Sequence, residues 1–367
     1  MRAIAVASIR KVPNTMTNLP QRMPQRPAPP SRDVVPAAAS DIDAIDVLSD
    51  VLRSVRLTGS MFFLVEASTP WITKAPAASV FAAAVLPAAQ HLISYHVITE
   101  GSCWAGLEGD APQLMQAGDI LVVPHGDPYF LAATPGTQGE LDTEEAVWFF
   151  RKMAAGELPS ILTEGGGGPE KTNFICGFLG CDARPFNPIL AALPRVIHLR
   201  RASRSGDRMS PLIEFAVGEL RARRAGSREV LLRLSELMFI EVVRCHLETR
   251  GDAQPDWLAG LRDPLVARVL SRLHGQPARA WTLDALAAET GTSRSVLAER
   301  FALLVGQPPM HYLTAWRMQL ATRLLADGTT KVKMVAESVG YESEAAFSRA
   351  FKKHVGIAPM GWRQRAA

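Results

Sequence analysis

The sequence predicts an α+β multidomain protein: a small β-barrel or sandwich near the N-terminus, linking helices, and an all-α C-terminal domain with two helix-turn-helix motifs. Three observations carry this. Short apolar runs punctuated by Gly, Pro, Asp and Thr give way to helical spacing after about Phe186. The last hundred residues repeat themselves. Charge also divides along the chain: the net +4 is made of +5 over residues 1–40, −8 over 41–267 and +7 over 268–367. A basic module on an acidic body is the footprint of nucleic-acid contact, with a basic solvated face as the plain alternative. A length of 367 residues suits two or three domains.

Residues 11–40 hold seven prolines and almost no large apolar side chains, so the tail over 1–40 is expected to be disordered, and Met16 or Met23 could be the true start. No stretch approaches the ~18 uninterrupted apolar residues of a membrane span. The run Ala3 to Ile9 is too short for a secretory segment and leads into Arg10-Lys11. The expectation is a soluble cytoplasmic protein with no membrane partner, and four scattered cysteines agree with a reducing compartment.

From 46 to 200 the elements come in order. Asp46 to Val55 reads as a leading helix. Phe62 to Val65, His91 to Ile98, Ile120 to Val123, Val147 to Phe150 and Asn173 to Phe178 read as strands, and Gly118-Asp119 as a turn. Gly165 to Gly168 is expected to be a flexible connection. Over 201–262, Leu212, Phe215, Ala216 and Leu220 suggest a short helix. Ser227 is placed to cap a longer one, with apolar Val230, Leu231, Leu234, Leu237, Met238 and Val242. These helices either link the two ends of the chain or form a dimer seam, and Cys245 falls on an apolar face.

In 263–367, Ala285-Leu286-Ala287 and Gly291 match Met334-Val335-Ala336 and Gly340. Ser293, Leu297, Phe301, Gly306 and Pro309 then match Ser343, Phe347, Phe351, Gly356 and Pro359. The repeated unit is a helix capped by Thr282 or starting near Lys331, a Gly turn, and a second helix capped by Ser293 or Ser343. That is a helix-turn-helix, whose second helix enters the major groove. Tyr312, Leu313, Trp316, Leu320 and Leu324 mark a connecting helix.

Residues 281–317 and, more closely, 335–363 (Val-Ala-Glu-Ser-Val-Gly-Tyr, then Ser343-Glu-Ala-Ala-Phe-Ser-Arg-Ala-Phe-Lys352, Gly356-Ile-Ala-Pro359 and Arg363) resemble the DNA-binding domain of AraC/XylS-type transcription regulators. The resemblance implies two recognition helices in successive major grooves of double-stranded promoter DNA. By position it puts Ser295, Ala298 and Glu299 of the first at bases, with Arg294 beside them, and Glu344, Ala345, Ser348 and Arg349 of the second, with Lys352 at phosphate. Glu299 stands where the family often carries a basic residue. It could accept from cytosine N4 or pair with Arg294 or Arg300. Arg349 is the candidate for a bidentate guanine contact, a phosphate being its alternative. Leu297, Phe301, Phe347 and Phe351 fall on buried sides.

Gly118-Asp-Ile-Leu-Val-Val-Pro124-His-Gly126 resembles a motif of cupin barrels, which have a jelly-roll fold. Tyr95-His96-Val-Ile-Thr-Glu100-Gly101 resembles their other motif without its paired histidines, and Tyr129 stands where an enzyme-type cupin has a metal-binding His. The layout to about 200 is similar to the cupin sensor domain of some AraC-type regulators. The resemblance implies a regulator, with activation favoured, that responds to a small-molecule or redox effector and meets RNA polymerase, with a homodimer as an option. The rival is a metal-dependent cupin enzyme with an appended helical domain. His96, Glu100 and His125 could approach one another, but they lack a ligand spacing, and polar barrel lining is the plainer reading. No metal or cofactor is therefore assigned, and no catalytic residue. The candidate effector residues are His96, Cys103, His125 and Cys176. A redox role for either thiol requires exposure and a lowered pKa.

Overall fold

In the computed structural model, residues 46–366 are described apart from 56, 138, 184, 202–204 and 250–254. The proline-rich tail expected over 1–40 lies outside them.

Asp46 accepts from the Ser49 N–H and so caps α1 (Val47–Ser54). The barrel follows: β1 (Leu57–Ser68), β2 (Ile72–Ala75), α2 (Ala78–Val85), β3 (His91–Glu100), β4 (Ser102–Leu107), β5 (Gln113–Gln116), β6 (Ile120–Val123), β7 (Tyr129–Ala132), α3 (Thr143–Ala154), β8 (Ile161–Gly165), β9 (Lys171–Cys181), α4 (Pro188–Ala192) and β10 (Ile197–Leu199). One sheet has six strands in the order β10-β6-β3-β9-β1-β8 and the other four in the order β2-β7-β4-β5. Pairing is antiparallel except for β1 with β8.

The six-stranded sheet is buried on both faces. Met61, Phe63 and Val65 of β1 join the core between the sheets, while Phe62 and Leu64 join a second core under the helices. That is why its strands read as continuous apolar runs and not as alternation. Val147 to Phe150, expected as a strand, lies in α3. Asp142 accepts from the Glu144 and Glu145 N–H groups, acidic residues occupy the first turn, and Arg151 and Lys152 occupy the last. Capping and dipole complementarity outweigh the β-propensity of Val-Trp-Phe-Phe. The glycine run expected as a loose connection is hydrogen-bonded to the β1 end: Gly166 and Gly168 donate to Ser68 and Thr69 carbonyls.

Then come α5 (Met209–Ala222) and α6 (Ser227–Thr249). Ser227 does not act as the expected cap: it is the first helical residue, and its hydroxyl donates to buried Glu219 at 2.7 Å. Cys245 is buried as expected. The C-terminal helices are α7 (Trp257–Arg262), α8 (Pro264–Gly275), α9 (Leu283–Thr290), α10 (Arg294–Val305), α11 (Pro309–Ala326), α12 (Val332–Ser338), α13 (Glu344–Val355) and α14 (Pro359–Ala366). Among the described residues, no helix is long and apolar enough to cross a membrane.

Candidate functional site

The two helix-turn-helix units form as the repeat requires. Thr282 accepts from Ala285 N–H at 3.1 Å to start α9, Ser293 from Val296 N–H at 3.3 Å to start α10, and Ser343 from Ala346 N–H at 3.2 Å to start α13. Gly291 (φ 68°) and Gly340 (φ 81°) turn the chain between the helices of each unit, a left-handed conformation that suits glycine. Leu297 and Phe301 of α10, and Phe347 and Phe351 of α13, are fully buried. Their burial fixes which faces of α10 and α13 look outward. Arg294, Ser295 and Glu299 are exposed on α10 and Ala298 is half-buried. Glu344, Ala345, Arg349 and Lys352 are exposed on α13 and Ser348 is half-buried.

The charges of these faces differ. Nε and Nη2 of Arg300 donate to Asp263 Oδ2 at 2.9 and 2.7 Å, and Arg294 pairs with Asp284 at 3.1 Å. Burial acts to raise the pKa of Asp263, but the Val266 N–H and the Arg300 guanidinium hold its carboxyl below the usual value. Neither arginine pairs with Glu299, so the ion-pair alternative for that carboxylate is not realised. Arg272 and Arg279 share Glu289. On α13, Arg349 and Lys352 stand exposed with no ion pair among the described residues.

The barrel holds a cavity of about 280 Å³ lined by Phe63, Phe150, Leu162, Tyr129, His96 and Cys176, among others. His96 on β3 lies opposite Cys176 on β9, with Nδ1 3.1 Å from Sγ, and its ring packs on Tyr129 at 4.7 Å between centroids. Burial drives the His96 pKa down to about 3 and that of Cys176 well above the ordinary thiol value. Cys103 faces the same core from β4, outside the cavity wall, and burial pushes it up to about 12. Neither thiol has the exposure and lowered pKa of an oxidant sensor, which corrects the redox version of the expectation. His125 is exposed beyond β6, where Nε2 donates to the Leu193 carbonyl at 2.9 Å. Glu100 accepts from Asn173 at the strand end. His96, Glu100 and His125 therefore serve three separate places and do not converge.

A cupin family model matches residues 46–248 and a helix-turn-helix domain model matches 286–365. An AraC-like transcription regulator of Streptomyces lividans is 33% identical over 75% of this chain and 88% of its own. The chain belongs to the AraC family. A second AraC-like regulator, from Streptomyces antibioticus, is 31% identical over 87% of this chain and 99% of its own. The regulator AlkR of Acinetobacter baylyi is 28% identical over 88% and 100%. This AraC-type chain is thus a DNA-binding regulator with an N-terminal cupin sensor domain.

In this AraC-type regulator the barrel and the C-terminal helices are physically joined. Gln319 of α11, 1% exposed, donates to the Ser54 carbonyl at 2.9 Å and accepts from Phe186 N–H at 3.2 Å. His274 of α8 stacks on Trp316 and lies 2.9 Å from the Tyr312 hydroxyl, which also accepts from Trp257 Nε1 at 3.0 Å. One continuous core runs from Phe62 of the barrel through α5 and α6 to Phe301 and Trp316. The sequence reading missed Gln319 and His274. A polar residue inside the apolar stripe of the connecting helix was the available signal for Gln319. The α7 helix, expected in the linker, packs on α8 and α10.

Proposed function

We propose that this regulator binds two adjacent major grooves with α10 and α13 and transmits a signal sensed in the barrel to that module. Base reading falls to Ser295, Ala298 and Glu299 in the first groove and to Glu344, Ala345, Ser348 and Arg349 in the second. Arg294 borders the first set, held by Asp284, and Lys352 flanks the second at phosphate. The observation that carries the reading is the pair of serine-capped helices presenting equivalent outward faces around equivalent buried phenylalanines. Two such helices on one rigid connecting helix reach grooves one turn, about 34 Å, apart, so a monomer covers two half-sites.

The signal acts on the barrel cavity beside His96, and Gln319 and the shared core carry its effect to α11. An effector that favours one arrangement of the barrel and the C-terminal helices changes affinity for DNA by linkage. The output is activation through RNA polymerase, in the cytoplasm, without catalysis by the chain itself. The separate engagements of His96, Glu100 and His125 support that reading over a metal-dependent cupin enzyme. Selection of bound sequences from a random DNA pool, followed by footprinting of the full chain, tests it. Protection of two sites one turn apart on one face is expected, and a single protected groove would refute the two-helix reading.

A further inference from the structure

Resting on the reading of the barrel as the sensor, we propose that the effector is a small, neutral, largely apolar molecule carrying a hydrogen-bond acceptor, held by the Nε2–H of His96. At about 280 Å³ the cavity sits just below the ~300 Å³ at which pockets for drug-sized ligands begin. Its inner wall is apolar: Phe63, Val65, Phe149, Phe150 and Leu162. His96 is 1% exposed, and its Nε2 has no partner in the protein. A buried polar atom left unpaired is costly, and a ligand that pairs with it gains both affinity and orientation.

The hydrogen bond to Cys176 sets which proton His96 carries. Sulfur is a weak acceptor and imidazole nitrogen a good one, so the thiol donates to Nδ1 across 3.1 Å. Burial keeps that thiol protonated. The imidazole proton then sits on Nε2, which can only donate, and the ligand must accept. A carboxylate is disfavoured twice. Burial holds His96 neutral, so it supplies no cation, and Glu140, Asp142 and Glu145 put three carboxylates in the cavity wall. The one lysine there, Lys74, is paired with Glu108 at 3.4 Å. An amine is disfavoured because its ammonium form has no lone pair and cannot accept from the Nε2–H.

Calorimetric titration and thermal shift of the full-length protein with four probes of one shape test this: acetophenone, ethylbenzene, benzoate and benzylamine. Acetophenone is expected to bind about tenfold more tightly than ethylbenzene, the size of one buried hydrogen bond. Benzoate and benzylamine should produce no shift. His96→Phe keeps an apolar wall and should bring the ketone-to-hydrocarbon ratio to about one. Cys176→Ala, a milder change, should lower the ratio by releasing the tautomer. Tightest binding of benzoate or benzylamine, equal binding of ketone and hydrocarbon, no binding of any probe, or an unchanged ratio in both variants overturns the proposal. The sensor reading is tested separately with Leu162→Trp, which fills the cavity. A regulated promoter that still responds normally sinks that reading, whatever the probes do.

Discussion

Phe301 and Phe351 occupy matching places in the two helix-turn-helix units, and both are fully buried, but against different things. Phe301 belongs to the long core that continues through α8 and α6 into the barrel, whereas Phe351 belongs to a compact cluster with Met318, Val335, Phe347 and a few neighbours. The first unit is thus built into the sensor side of the molecule, and the second hangs from α11 with a core of its own. Their surfaces differ in the opposite sense. Arg272, Arg279, Arg294 and Arg300 around the first unit are all paired with carboxylates, while Arg349 and Lys352 of the second are open to a phosphate or a base. Under the proposed reading, the first copy is placed to receive the signal and the second to supply the attraction to DNA.

The largest expected effect breaks the cores apart. Phe301→Ala and Phe351→Ala should each cost about 3–5 kcal/mol. In calorimetry Phe301→Ala should lower the main transition, because its core is shared with the barrel. Phe351→Ala should instead split off an early transition belonging to α12–α14. Identical single transitions in both variants would show that the units share one cooperative fold after all.

Acid should loosen the first unit and spare the second. Burial lowers the His274 pKa to about 3, so it stays neutral in the folded chain, against about 6.5 unfolded. Tyr312 and Asp50, whose carboxyl lies 3.8 Å from Nδ1 and is itself pushed up by burial, are the groups that face it. A depressed folded pKa gives stability that is present above pH 6.5 and is lost as the pH falls toward 3. At pH 5 the loss is about 2 kcal/mol for this histidine. The buried cluster of the second unit holds no such group. Urea melts at pH 7 and 5 should show His274→Gln losing less stability than the parent, with His96 and His91, whose pKa values burial also lowers, contributing to the acid sensitivity that remains.

Readout is expected to be uneven as well. Arg349→Ala should weaken binding to the selected site by about 1–3 kcal/mol and relax one base position. Lys352→Ala should weaken all sequences alike and flatten the salt dependence by about one unit of slope. Unchanged base preferences in Arg349→Ala would make Arg349 a phosphate contact.

What was legible in the sequence is local. The caps at Thr282, Ser293 and Ser343, the turn glycines and the buried phenylalanines each follow from spacing within a dozen residues. The α3 misreading shows the limit of that method: an aromatic run takes its structure from the Asp142 cap and flanking charges more than from its own propensity. Contacts between distant segments left little trace. His96 meets Cys176 from 80 positions away, and Gln319 meets Ser54 from 265. The position of Glu299 could be read from the repeat, but the partners of its neighbours could not. Asp263 sits at the cap of α8, and its second role in holding Arg300 depends on tertiary packing.

The smallest expected effect tests whether the paired arginines of the first unit are withheld from DNA. Arg294 and Asp284 are both well exposed, at 63% and 67%, so their pair contributes at most about 1 kcal/mol to stability. Arg294→Ala should therefore change stability by at most about 1 kcal/mol and lower DNA affinity by less than about 0.5 kcal/mol, a small loss that comes from the Asp284 carboxylate it leaves unpaired. Asp284→Ala should act in the opposite direction. It leaves Arg294 unpaired beside the Ser293 cap of α10, with one more positive charge facing phosphate. Affinity at low salt should then rise about twofold to fivefold, the gain vanishing above ~0.3 M salt, where the Debye length falls to about 5 Å. The comparison between the units depends on that sign. If Arg294→Ala weakens binding as much as Lys352→Ala does, the first unit holds phosphate directly, and the division of labour inferred from its ion pairs does not exist.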